Sequence, residues 1–131
     1  MLQRIRESNA DNRLVLKRIA MRRVSKKQQQ INQELHKVYK RIAETRGHFC
    51  TGCGRHDVPL SHSHYISRAR RKDLETDINN ITYHCLSIDG RKGCHELWEG
   101  GVTNKQKLLD YPKALEYILL HDVGLYLRIT E

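Results

Sequence analysis

The stretch from Cys50 to Gly100, CTGCGRHDVPLSHSHYISRARRKDLETDINNITYHCLSIDGRKGCHELWEG, contains all four cysteines of a 131-residue chain. Cys50-Thr51-Gly52-Cys53 is a C-x₂-C knuckle followed by Gly54. Cys85 and Cys94 form a second pair, opened to eight intervening residues by the turn dipeptides Asp89-Gly90 and Lys92-Gly93. Four thiolates on two turns suit a tetrahedral Zn²⁺ site, because zinc takes soft sulfur ligands at about 2.3 Å. The second spacing exceeds the roughly two to four residues usual between zinc ligands, but a loop with two glycines can close it. Two other readings compete, a redox C-x-x-C and free buried thiols. A redox pair belongs at a helix start in a βαβ context, which the sequence lacks. Structural zinc on Cys50, Cys53, Cys85 and Cys94 is therefore expected, supplying folding energy that a small core lacks.

Around the cysteines the chain is short in its elements and rich in turns. His62 to Ile66 and Ile81 to His84 read as short strands, being rich in β-branched and aromatic residues. His95 to Glu99 reads as a short helix halted by Gly100-Gly101. Upstream, residues 1–46 lack both Gly and Pro. Ser25-Lys26-Lys27-Gln28 fits a capping box, and Ile31, Leu35, Val38 and Ile42 recur on one helical stripe that Gly47 stops. An earlier helix over about Asn12 to Val24 is also expected. Downstream, Pro112 suits a first helical turn followed by Ala114, Leu115, Ile118 and Leu119, whereas residues 124–130 fit a strand or a helix equally. The expected organisation is a basic helical arm (1–46), a zinc-bearing core (47–101) and a helical tail packed on that core (102–131). The fold class is α+β.

Composition narrows the function. There are 24 Lys and Arg against 15 Asp and Glu, a formal charge of +9, and the pI is near 9.6. The excess is not spread evenly: residues 1–46 hold 13 basic and four acidic residues, and residues 47–131 hold 11 of each. Such a basic arm points to a polyanion, most simply nucleic acid, against the alternative of a solvated helical face. The apolar content is 38%, with one Trp and one Phe, so the core is small and in need of metal or oligomerisation. No apolar run approaches the length of a membrane span, and MLQRIRESNADNR lacks the apolar stretch of a secretory signal. A cytosolic chain with reduced cysteines is expected.

His64, Asn80 and His95 lie between and beside the cysteine pairs. Their order resembles the HNH nucleases, the ββα-metal group with a Cys₄ zinc knuckle. That pattern runs from a C-x-x-C knuckle to a strand bearing a His, then Asn-apolar-x-x-x-Cys, then a Cys followed directly by His. The matching residues are Cys50 and Cys53, Ser63-His64-Tyr65-Ile66, Asn80-Ile81-Thr82-Tyr83-His84-Cys85, and Cys94-His95. The string His64-Tyr65-Ile66-Ser67-Arg68 is also similar to phage NinG-type recombination proteins, which carry a basic helical segment ahead of their knuckle.

The resemblance implies a metal-dependent DNA endonuclease built on a small ββα unit, encoded by a phage or mobile element and acting in the cytoplasm of a bacterial host. His64 would be the general base, since a neutral imidazole accepts a proton from water near pH 7. His95 would be the protein ligand of a catalytic Mg²⁺ or Mn²⁺. Asn80 would hold the loop and orient His64, or touch the metal. One position departs: the family's Asp or His before the base is here Ser63, a poor ligand. His62, two residues before His64, or Asp77 could substitute. His84 is read as a core residue or one supporting the site from behind, His48 and His56 as surface residues, and Trp98 as packing the short helix onto the strands. Arg68, Arg70, Arg71 and Lys72, and in the arm Arg22, Arg23, Lys26 and Lys27, are the expected phosphate contacts. Two alternatives stand: a non-catalytic zinc-stabilised DNA-binding module, and a structure-selective nuclease of branched DNA. A homodimer through the Ile31 stripe is compatible with any of them.

Overall fold

The computed structural model describes residues 24–131. Its contacts divide the chain into two units, Met1–Leu35 and His36–Glu131, a division inside the first described helix. That helix, α1 (Lys26–Arg46), begins as the sequence predicts, with the Gln28 N–H donating to Ser25 Oγ at 3.1 Å. The reciprocal half of the capping box is missing, because the Gln28 side chain turns forward to Asn32. Leu35 and Ile42 are its buried positions, with Ile31 and Val38 half-buried. The helix expected over residues 12–24 falls, apart from Val24, outside the described residues, as do Arg22 and Arg23.

The unit His36–Glu131 is a small mixed α+β structure around one antiparallel pair, β1 (Leu60–His64) and β2 (Ile81–Cys85). The register opposes Leu60 to Cys85, Ser61 to His84, His62 to Tyr83, Ser63 to Thr82 and His64 to Ile81. Side chains alternate faces along a strand, so Ser61 and Ser63 share a face with Thr82 and His84. His62 and His64 share the other with Tyr83 and Ile81. Every residue of β2 is buried. Its outer edge is closed by the knuckle, where the Thr51 N–H donates to Tyr83 O, and by Arg46, whose Nη1 donates to Ile78 O and Ile81 O. One of the arm's thirteen cations thus has a structural task.

Four helices complete the unit: α2 (Cys94–Glu99), α3 (Val102–Lys105), α4 (Tyr111–His121) and α5 (Val123–Thr130). Pro112 sits in the first turn of α4, where its missing N–H costs nothing. Residues 124–130 are helical, not extended, because Asp122 breaks α4 and its carboxylate caps Leu125 N at 3.1 Å. The core joins Tyr65, Ile66 and Trp98 with Ala114, Tyr117, Ile118 and Ile129, so the tail packs directly on the cysteine-bearing region. None of the described helices is long and apolar enough to cross a membrane.

Candidate functional site

The four cysteines come together. Cys50, Cys85 and Cys94 are buried and Cys53 is half-buried, with the four Sγ atoms within 4.8 Å of one another. Cys53 Sγ and Cys85 Sγ are 3.8 Å apart. A tetrahedron with about 2.3 Å metal–sulfur bonds has edges of about 3.8 Å, so the cage has the right size for a metal ion such as zinc. Backbone N–H groups of Cys85 and Cys94 donate to Cys50 Sγ (3.2 Å) and Cys85 Sγ (3.3 Å), which favours thiolates. Burial, and then the neighbouring Cys50 charge, drive the Cys94 thiol far above its ordinary range. Burial also raises Cys50. Cys53 goes down, because the Arg55 N–H and the adjoining thiols outweigh its burial. Crowded thiols of this kind ionise together only around a cation.

Two glycines make the closure possible. A Cβ at Gly52 would lie 2.8 Å from the Cys94 side chain and from Leu108 Cδ2, and one at Gly93 would collide with the carbonyl of Cys85. The eight-residue spacer folds as a small hairpin, Ile88 bridging Arg91 around Asp89-Gly90, and the Gly93 N–H donates to Ser87 Oγ. The wide second spacing therefore delivers Cys94 back beside Cys85.

His64, at the end of β1, is fixed through Nε2, 2.8 Å from the carbonyl oxygen of Glu75. A carbonyl only accepts, so Nε2 carries the hydrogen and Nδ1 keeps its lone pair in the neutral ring. Burial lowers the His64 pKa, partly opposed by that carbonyl. The loop presenting Glu75 is pinned by Asn80, which is wholly buried. Its Oδ1 accepts from Ile66 N (2.8 Å), and its Nδ2 donates to Ile66 O (3.0 Å) and Leu74 O (3.1 Å). Of the two roles expected for Asn80, this geometry is that of an orienting residue, with the amide spent on backbone.

His95 stands one residue after Cys94 in the first turn of α2. Its Nδ1 lies 2.9 Å from Ser63 Oγ and 3.1 Å from Ser61 Oγ, and its Nε2 is 3.3 Å from Glu99 Oε1. A cavity of about 550 Å³ is lined by His64, His95, Ser63, Arg68, Trp98, Glu99 and Lys105 among others. It gathers His64 and His95, and His62 lines it as well. Trp98, 4% exposed, fastens α2 to β1 by donating from Nε1 to His64 O at 3.1 Å.

The two expected substitutes for the missing acid at Ser63 have other contacts. His62 belongs to the opposite face from Ser63, and its ring stacks on Tyr39 at 3.6 Å and tilts against Tyr83 at 4.8 Å. It lines the same cavity as His95 but is engaged in packing, with Nε2 buried and without a hydrogen-bond partner among the described residues. Burial, then His48, His64 and His36, lower its pKa. Asp77 is occupied by Tyr117 OH at 2.8 Å and by the Asn79 N–H at 3.0 Å.

The basic run after β1 is largely ion-paired. Arg70 makes a two-pronged contact with Asp122, and Arg71 pairs with Asp73 and donates to His121 O. Arg68 pairs with Glu75 at 3.1 Å. These arginines tie the loop to itself and to the tail and are not a free row of cations. Lys72 is exposed, and so are Lys26 and Lys27 in α1.

Sequence reasoning misses three groups. Glu75 clamps both His64 and Arg68. Lys105 caps the end of α2 by donating from Nζ to Trp98 O and Gly100 O, above the Trp98 ring. Asp110, 7% exposed, accepts at Oδ2 from Tyr65 OH (2.8 Å), Thr51 Oγ1 (2.8 Å) and His84 Nε2 (2.9 Å). Burial would raise the Asp110 pKa, but the His84 contact and the two hydroxyls bring it below the ordinary value. This network makes His84 a core residue that links β2 to the tail. Comparison of the chain with known protein families, curated proteins and solved structures finds no match.

Proposed function

We propose that this protein is a metal-dependent DNA endonuclease of HNH type, with Cys50, Cys53, Cys85 and Cys94 holding a structural Zn²⁺. The observation that carries the reading is the pairing, in one cavity, of a histidine held by a backbone carbonyl with a histidine on the helix that Cys94 anchors. Phosphodiester hydrolysis needs a proton acceptor beside the attacking water and positive charge near the leaving oxygen. His64 Nδ1 is the acceptor. The water oxygen bonds to phosphorus, the bond to the 3′ oxygen breaks, the proton goes to His64, and the leaving oxygen takes a proton from solvent. Asn80 and the Glu75 carbonyl keep the imidazole in the useful tautomer throughout. His95 would hold Mg²⁺ or Mn²⁺, which when bound supplies Lewis-acid charge to the scissile phosphate. The donors around it are an imidazole, two serine hydroxyls and a carboxylate, a set compatible with a hard divalent ion.

Ser63 favours one other reading. With a hydroxyl where the resembling proteins carry an acid, the domain would grip DNA without cutting it. Incubating supercoiled plasmid with zinc-loaded protein and Mn²⁺ or Mg²⁺ separates the two: relaxed circles support the nuclease, and unchanged plasmid across salt and metal conditions leaves the binding module. Branched junctions against plain duplex then test for the structure-selective form.

A further inference from the structure

We propose that Glu99, one helical turn beyond His95, supplies the carboxylate of a divalent-cation site that the strand position Ser63 lacks. The inference rests on His95 being the metal ligand of the nuclease reading, and it adds the second protein ligand.

Three observations converge. Glu99 is the only acidic residue among those lining the His64–His95 cavity. It stands at the fourth position after His95, so both side chains leave the same face of α2. Its Oε1 lies 3.3 Å from His95 Nε2. Two ligands at about 2.1 Å from one ion are separated by roughly 3.0 Å at a right angle and about 3.4 Å at the tetrahedral angle. The observed spacing lies within that range without any movement of the helix.

The surroundings favour the same pair. Ser61 and Ser63 hold the ring from its Nδ1 side, leaving Nε2 on the side of Glu99. The His95 side chain is 30% exposed and that of Glu99 68%, so an ion with several waters has room to enter. A hard ion of the Mg²⁺ or Mn²⁺ class needs this, since it keeps part of its hydration shell. The helix is fixed at its start by Cys94 in the cysteine cage and near its end by Trp98, which keeps the two ligands in register. The other acid near the base, Glu75, has its carboxylate on Arg68.

An ordinary exposed pair at this spacing would look similar and would do nothing to an ion, and Mn²⁺ binding tells the two apart. Full-length, zinc-loaded protein is titrated with Mn²⁺ alone, free Mn²⁺ being followed by electron paramagnetic resonance. Mn²⁺ does not compete for a four-thiolate cage, which prefers softer metals. One Mn²⁺ should bind per wild-type chain, and both His95→Ala and Glu99→Gln should weaken it by roughly tenfold or more. Glu99→Gln keeps size and exposure, and retained zinc with an unchanged circular dichroism spectrum verifies its fold. Equal Mn²⁺ affinity in wild type and Glu99→Gln, or no binding by wild type at millimolar Mn²⁺, overturns the inference. Plasmid nicking is scored separately: wild type that binds Mn²⁺ through Glu99 but never nicks removes the nuclease reading alone, and nicking with Glu99-independent Mn²⁺ binding removes the Glu99 ligand alone.

Discussion

The cysteine cage and the histidine cavity are separated by one peptide bond, Cys94 to His95, and are built on opposite principles. The cage is closed: three of its four thiols are buried, their sulfurs converge, and backbone N–H groups aim at them. The cavity is open, and His64 and His95 are each held by one ring nitrogen while the other has no backbone or hydroxyl partner among the described residues. A site whose valences are used up internally stabilises a fold. A site with ligand capacity left over can act on something else. Their contact through α2 means that the closed site sets the position of the open one.

The largest test of this contrast is to open the cage. Replacing Cys94 by Ser, or stripping metal with a strong chelator, should unfold the His36–Glu131 unit, because structural zinc is worth about 10–16 kcal/mol in small domains. Loss of the cooperative transition in circular dichroism, with about one zinc per chain in the intact protein, is the expected result. Retained folding without metal would erase the distinction between the two sites.

Next comes the support of the proposed base, His64. Asn80→Ala strands Ile66 N and Ile66 O in the interior, leaves Leu74 O with the Asp77 N–H alone, and should cost about 3 kcal/mol in chemical denaturation. At a temperature where the variant is still folded, its nicking should fall as well, since the loop that orients His64 is loosened. An effect on neither would return Asn80 to being an ordinary loop residue.

These two sites were legible in the sequence to different depths. The cage could be read because zinc ligation leaves local marks, two cysteine pairs on glycine-bearing turns. His64 and His95 could be read from their order along the chain. What surrounds them could not. Asp110 precedes Tyr111-Pro112 and looks like a helix start, yet it caps nothing and turns inward to His84, Tyr65 and Thr51, partners set by the tail's packing. Arg68, Arg70 and Arg71 read as a row of free cations because a sequence shows a charge and not the acid that folds against it. His62 shares the alternation of His64, but its burial depends on the stack with Tyr39, a partner distant in sequence.

Acid should affect the two histidines of β1 in different ways. Burial lowers the pKa of both His62 and His64. The folded state therefore takes up fewer protons than the unfolded chain, so their contribution to stability is complete above the ordinary imidazole value of about 6.5 and is lost as pH falls below it. Denaturation midpoints should drop between about pH 6.5 and 5. His62→Phe keeps the stack on Tyr39 without a proton site and should reduce that drop. The nicking rate should decline at a midpoint below about 6.5, following His64, and His62→Phe should leave its profile in place. Activity that stays level to pH 5 would exclude His64 as the acceptor.

The smallest effects separate grip from scaffolding. Arg70→Ala breaks the contact with Asp122 and should lower the melting temperature slightly, leaving the salt dependence of DNA binding unchanged. Deleting residues 1–24 should do the reverse, weakening binding and flattening its salt slope with little change in the chemical step. A flatter slope in Arg70→Ala would restore the loop arginines as phosphate contacts.

The most direct measurement compares nicking of supercoiled plasmid by zinc-loaded wild type and His64→Ala in Mn²⁺ or Mg²⁺. Metal-dependent nicking by wild type, reduced roughly 100-fold or more in a His64→Ala protein that keeps its zinc and its fold, is the predicted result. Wild type that leaves the plasmid intact, or His64→Ala that nicks as fast, contradicts it.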